Sequence, residues 1–174
     1  MSETLTKFII YSIVGTILHF TYKLSKKNIV VGIFSAVNES TWEHIKILLT
    51  PIFFFNTFKY VLGDQSNYFL MLLTELLTAI IGIIFLSKLK NKLFGNKLPI
   101  LNVVLFYIVA FMCSLFGYTV RKIPISNFVN IVSLFGCIII YVMYILFTVC
   151  APKKEIFKDP VTGSYGISCV NNNQ

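Results

Sequence analysis

The sequence predicts an all-α membrane protein, a polytopic bundle of about five transmembrane helices. Hydrophobic residues make up 56% of the 174 residues and charged residues only 13%, against roughly 45–50% and about 25% in soluble domains. A soluble core of this length is too small to hide so much apolar surface. The composition therefore excludes a disordered chain, a nucleic-acid-binding tail and an ordinary soluble enzyme, and membrane lipids are the expected partners.

Five stretches are long enough to cross the bilayer, whose hydrocarbon core of about 30 Å takes about 20 apolar residues. They are residues 5–22, 42–62, 68–86, 98–120 and 128–150. Each is expected to be helical because lipid offers no partners to unpaired backbone groups. Turn residues at 63–66 and 95–96 follow the second and third stretches. The sequence thus predicts a transmembrane domain over residues 1–151 and a polar tail over 152–174.

Residues 28–37, with the sequence NIVVGIFSAV, lie between the first two stretches. This segment is too short to span a bilayer and too apolar for a loop in water. We therefore expect a re-entrant or interfacial segment that packs against the bundle.

The basic residues predict the orientation, because lysine and arginine collect on the cytoplasmic side of membrane proteins. In a five-span layout one side carries ten of them: Lys23, Lys26, Lys27, Lys88, Lys90, Lys92, Lys97, Lys153, Lys154 and Lys158. The other side carries four: Lys7, Lys59, Arg121 and Lys122. The count predicts an external N-terminus and a cytoplasmic C-terminus, and it explains the basic clusters without a nucleic-acid partner.

The densest polar run, NESTWEHIK over residues 38–46, opens the second predicted span. One interpretation is structural. Ser40 and Glu43 have the spacing of a capping box, in which each side chain bonds the backbone N–H of the other residue. Trp42 would then be an anchor at the membrane interface.

The other interpretation is a polar site, which His19 near the end of the first span would complete. Two imidazoles and two carboxylates are ligand types that a divalent transition metal prefers. The candidate metal ligands are His19 and His44, and the candidate catalytic carboxylates are Glu39 and Glu43. The candidate binding residues are Asn38, Trp42, Lys46 and, from the tail, Asp159, whose alternative role is to begin a turn. An ion-paired cluster, an acid/base site and a lipid phosphate at the helix N-terminus remain open as well.

Glu75 lies about two turns inside the third predicted span. An ionisable group at that depth needs a partner or a proton, and it is a functional hypothesis by default. A hydrogen bond to another helix and a proton or cation relay are both open, and Glu75 is therefore a further candidate binding residue.

The chain resembles a family of small, uncharacterised bacterial integral membrane proteins with a domain of unknown function. The likeness rests on VNESTWEHIK at residues 37–46 and on FKDPVTGSYG at residues 157–166. The resemblance implies a bacterial inner-membrane location, and it implies no activity.

Three function classes follow from the residues. The first is a polar site at the cytoplasmic membrane face, whose enzyme version is a metal-dependent hydrolase of a lipid or membrane-associated substrate. The second is a transporter or channel subunit built on Glu75, which would need a homo-oligomer because five spans are few to enclose a path. The third is an accessory membrane protein in which the polar run is a cap, an anchor and a salt bridge.

Overall fold

The computed structural model describes residues 3–63, 67–95 and 100–166, and these residues form an all-α protein, as predicted. The six α-helices are α1 (Glu3–Leu24), α2 (Ile29–Phe34), α3 (Thr41–Val61), α4 (Tyr68–Phe94), α5 (Ile100–Arg121) and α6 (Asn127–Val149). A short 3₁₀ helix, Glu155–Phe157, follows in the tail. Within the described part of the chain there is no strand, and Lys158 and Tyr165 form an isolated antiparallel bridge.

Four helices, α1, α4, α5 and α6, are long and apolar enough to cross a membrane. This is compatible with a multi-pass membrane protein, although the sequence predicted five such spans. The difference is α3, which has 21 residues and therefore adequate length, but carries Glu43, Lys46 and Asn56 among its buried side chains. An inner helix can hold such groups because the surrounding helices supply their partners.

The ends of the elements differ modestly from the prediction. The third predicted span, residues 68–86, is the start of a 27-residue helix, α4, which continues through three lysines to Phe94. The predicted span 98–120 corresponds to α5, which starts at Ile100. Several predicted features lie outside the described residues: the turn residues 64–66 and 96, Lys97, Leu98, and positions 167–174 of the tail.

Helix α4 packs against α3, α5 and α6, while α1 packs against α3 and α5. Side-chain contacts define one end of this bundle, which we call the tail end. Here α1, α4 and α6 finish, and α3 and α5 begin. The tail returns to the same end, where Phe157 packs on Trp42 of α3 with ring centroids 5.2 Å apart.

The short helix α2 corresponds to the segment predicted as re-entrant or interfacial. It packs against α1, α3 and α6, and Asn28 caps its start by accepting from the N–H groups of Val30 and Val31. Its last carbonyls have no partner within so short a helix. Three side chains of the bundle bond them instead: Lys46 to Gly32 at 2.9 Å, Thr50 to Phe34 at 3.1 Å and Tyr144 to Ile33 at 2.7 Å. These bonds fix α2 to the bundle.

Candidate functional site

Three side chains that can bind a metal converge at the tail end. His19 comes from the last turns of α1, Glu39 from the loop before α3, and His44 from the first turn of α3. One ligand atom from each residue lies within 4.8 Å of the other two. The His19 Nε2 atom is 3.7 Å from a carboxylate oxygen of Glu39, and the two imidazole rings are 5.5 Å apart. We call this group the His19–Glu39–His44 cluster.

The orientation of His44 follows from its backbone contact. Its Nδ1 atom lies 2.9 Å from the carbonyl oxygen of Ser40. A carbonyl only accepts, so Nδ1 is the donor, and in the neutral imidazole this leaves the lone pair on Nε2. Histidines that bind metals are commonly held in this way, by donating the other ring N–H to a carbonyl.

The loop that carries Glu39 is fixed at both ends. The N–H of Ala36 bonds the carbonyl of Leu18, next to His19 in the chain, at 3.3 Å. The amide oxygen of Asn38 accepts from the N–H of Ser40 at 2.9 Å. Asn38 thus shapes the turn with its amide oxygen, while its buried amide nitrogen has no hydrogen-bond partner among the described residues. Lys23 adds a weak contact, with its ammonium 3.6 Å from the Glu39 carboxylate.

Only half of the expected capping box forms. The hydroxyl of Ser40 accepts from the N–H of Glu43 at 3.3 Å, but the Glu43 carboxylate does not return to the N–H of Ser40, which bonds Asn38 instead. It bonds the N–H of Val37 at 2.9 Å and the ammonium of Lys46 at 2.6 Å. Glu43 and Lys46 are both buried. Through these contacts, and through the bond of Lys46 to Gly32 of α2, Glu43 and Lys46 join the loop and α2 to α3. Such contacts are typical of structural residues.

Trp42 is buried within the protein. Its ring packs against Phe147 of α6 and Phe157 of the tail at 5.3 and 5.2 Å, and those two rings are 5.1 Å apart. The indole N–H has no hydrogen-bond partner among the described residues. Trp42 thus holds the tail against the bundle.

A cleft of about 850 Å³ opens beside the cluster. Its walls come from the loop before α3, the end of α4, the start of α5 and the tail. Its polar lining includes Glu39, His44, Ser87, Lys90, Asn91, Asn102, Glu155 and Lys158. Asp159 also lines the cleft, but its carboxylate accepts from the N–H of Val161 at 3.0 Å and the hydroxyl of Thr162 at 2.5 Å. Asp159 therefore forms a turn and is not part of the cluster.

Glu75 belongs to a separate polar group in the half of the bundle away from the tail end. Its carboxylate bonds Lys7 at 2.7 Å, Tyr11 at 2.6 Å and Asn56 at 2.7 Å. All four side chains are buried. Lys7, which the orientation count above included as a basic residue of one membrane side, is thus a buried residue of α1. The signal in the sequence was the spacing of Lys7 and Tyr11, which are four residues apart and share one helix face.

Sequence reasoning also missed Lys90 and Asn102 as a pair. The ammonium of Lys90, in the last turns of α4, donates to the amide oxygen of Asn102 at 2.7 Å. Lys90 was counted only as an orientation signal, because it sits between Lys88 and Lys92. Nothing in that lysine-rich segment distinguishes the residue that turns into the cleft.

Comparisons with known proteins give one match. A protein-family model described as "Family of unknown function (DUF6512)" matches residues 3–167. No curated protein and no solved structure matches the chain.

Proposed function

We propose a function from the site alone, because the chain belongs to the DUF6512 family, which has no assigned activity. The proposal is that His19, Glu39 and His44 bind a divalent transition metal at the membrane face. The bound metal would activate a water for hydrolysis of a membrane-associated substrate held in the adjacent cleft. The protein would then be a metal-dependent membrane hydrolase.

The observation that carries this proposal is the separation of the three ligand atoms, at most 4.8 Å. Zinc binds nitrogen and oxygen at about 2.0–2.2 Å in a tetrahedron, which puts two ligand atoms on one metal about 3.4 Å apart. The 3.7 Å between His19 and Glu39 is already near that value. Small rotations of side chains would bring the third atom into range.

The ligand set supports a catalytic rather than a structural metal. Catalytic zinc sites have three protein ligands and an open position for water, whereas structural sites are closed by four. A metal in such a site lowers the pKa of bound water to about 7, far below that of free water. A metal held by His19, Glu39 and His44 would supply an activated water for ester hydrolysis, in which the water oxygen bonds the acyl or phosphoryl centre, the bond to the alcohol breaks, and the alcohol leaves with a proton from the water. The cleft beside His44 supplies the space for that ester.

The basic residues support a cytoplasmic location for the cluster. When only the described basic residues outside the α-helices are counted, the tail end has five, Lys26, Lys27, Lys153, Lys154 and Lys158, and the other end has one, Lys122. We therefore propose that the tail end faces the cytoplasm, in the bacterial inner membrane that the resemblance implies.

Metal analysis tests the proposal. The full chain, purified in detergent and dialysed against a low concentration of Zn²⁺, is expected to hold one metal per chain. His19→Ala and His44→Ala should each lower that value severalfold, because two remaining ligands bind a metal far more weakly than three. Cys150→Ser is the matched control, since Cys150 is an exposed thiol that could bind metal adventitiously.

Substoichiometric metal in the unaltered protein would contradict the proposal. So would a metal content in His19→Ala and His44→Ala that equals that of the unaltered protein. In that case the polar run would serve as cap and salt bridge, and the accessory role would be favoured. Acidification should also release the metal, because protons compete for imidazole nitrogens. The same metal analysis at stepwise lower pH checks this.

A further inference from the structure

Lys90 differs from the other buried lysines in having no carboxylate partner. Three lysines are buried among the described residues: Lys7, Lys46 and Lys90. Lys7 and Lys46 pair with glutamates at 2.7 and 2.6 Å. Lys90 is 8% exposed, and its one hydrogen bond in the described structure goes to a neutral amide. An ammonium has three donors, so two remain for a ligand.

The position of Lys90 suits an anion at the membrane interface. Helix α4 has 27 residues and is therefore about 40 Å long, which exceeds the roughly 30 Å hydrocarbon core. A helix of that length can carry its last turns to the depth of lipid headgroups. Covering an ammonium without a counter-charge is costly, and a bound anion would remove that cost.

The wall around Lys90 is rich in donors. Ser87 and Asn91 of α4 line the cleft beside it, and Lys158 of the tail adds a second ammonium. Three carboxylates line the same cleft: Glu39, Glu155 and Asp159. Glu39 belongs to the His19–Glu39–His44 cluster and Asp159 is bonded within its turn, while Glu155, like Lys158, is exposed. The cleft therefore joins a candidate metal site to a donor-rich basic wall.

We propose that this cleft binds a phosphate ester, with Lys90 and Lys158 on its anionic oxygens. The inference rests on the proposed function, because it identifies the substrate class of the same site: the phosphate group would lie between Lys90 and the metal held by His44. A volume of about 850 Å³ is within the usual range for small-molecule sites and exceeds what phosphate alone needs. The source of the phosphate is a lipid headgroup or a soluble phosphate.

Calorimetric titration of the detergent-purified full chain tests this inference with three probes. They are dioctanoyl phosphatidic acid, inorganic phosphate and uncharged dioctanoylglycerol. Phosphatidic acid is expected to bind, and Lys90→Gln should weaken it tenfold or more, as loss of a charge-assisted hydrogen bond does. Lys90→Arg should restore most of the affinity. Lys92→Gln, an exposed lysine on the same helix, should change the affinity less than twofold.

The comparison of the three probes distinguishes a lipid headgroup from a soluble phosphate. Tighter binding of phosphatidic acid than of inorganic phosphate supports a lipid headgroup, and equal binding supports a soluble phosphate. Equal affinity in Lys90→Gln and unaltered protein, or equal binding of dioctanoylglycerol and phosphatidic acid, would overturn the inference.

Repeating the titration on chelator-treated protein separates this inference from the proposed function. Binding that depends on Lys90 without metal supports the phosphate site even where metal analysis fails. Stoichiometric metal together with no effect of Lys90 would overturn only the phosphate site.

Discussion

At the scale of single residues, Glu75 shows how this protein accommodates a carboxylate inside an apolar bundle. Three donors from two other helices, Lys7, Tyr11 and Asn56, surround it. Space for it exists because α5 has a glycine at the crossing: a Cβ on Gly117 would collide with the Glu75 carboxylate. The polar group therefore depends on a residue without a side chain as much as on those with charges.

Glu75→Gln should destabilise the protein strongly, because it leaves the buried ammonium of Lys7 without a counter-charge. Breaking a buried ion pair from one side costs about 3–5 kcal/mol. The double variant Lys7→Met with Glu75→Gln removes both charges and should melt above the single variant. Thermal unfolding in detergent, followed by circular dichroism, measures both.

A double variant that melts above Glu75→Gln would support the buried ion pair between Lys7 and Glu75. A single variant that melts with the unaltered protein would show that Glu75 is already neutral. That outcome, with altered proton or cation flux in liposomes, would favour the transport hypothesis for Glu75.

Part of the site could be predicted from the sequence at this scale. The run over residues 38–46 was identified as the candidate site because its polar side chains are concentrated in one place. How the run divides could not be predicted. His44 joins Glu39 at the cleft, while Glu43 and Lys46, three apart and hence on one helix face, turn inward. The choice depends on α2, whose carbonyl of Gly32 bonds Lys46 and whose position no local pattern encodes.

At the scale of elements, α2 is held by side chains rather than by its own hydrogen bonds. It has six residues, too few to be stable alone. The sequence did predict a short apolar segment packed on the bundle, from its length and hydrophobicity. It did not predict the bonding of its end, because Lys46, Thr50 and Tyr144 come from 14 to 111 residues away along the chain.

Tyr144→Phe should loosen α2 without unfolding the bundle. The hydroxyl donates to the carbonyl of Ile33 at 2.7 Å, and its removal leaves that half-buried acceptor unpaired, at a cost of about 1 kcal/mol. Hydrogen exchange of the amides of α2, measured by mass spectrometry, should become faster. Tyr107→Phe is the control, since its hydroxyl makes an exposed bond to Thr16.

Equal exchange of α2 in both variants would mean that Lys46 and Thr50 hold the helix unaided. The contact of Tyr144 would then be incidental to the position of the loop that carries Glu39.

At the scale of the whole molecule, the tail end gathers the groups to which we assign function. The His19–Glu39–His44 cluster, the basic wall and the folded tail all meet there, and the Glu75 group lies in the other half. The sequence predicted the helices, because hydrophobic length is a local property. It predicted five spans rather than four strongly apolar ones, because the burial of α3 is a property of the assembled bundle. The tail docks through Trp42, and the residue type alone did not reveal that this side chain is buried.

The side of the membrane that the tail end faces is testable through Cys150, which is exposed directly after α6. In a variant with Cys169→Ser, a membrane-impermeant maleimide should label Cys150 in inside-out vesicles. Right-side-out vesicles should be labelled only after detergent is added, because the basic loops of this end are expected to lie in the cytoplasm. The described thiols Cys113 and Cys137 are buried and should stay unlabelled. The variant that also carries Cys150→Ser checks this. The reverse labelling pattern would mean that the His19–Glu39–His44 cluster and the cleft lie at the outer face. The substrate would then have to come from the outer leaflet.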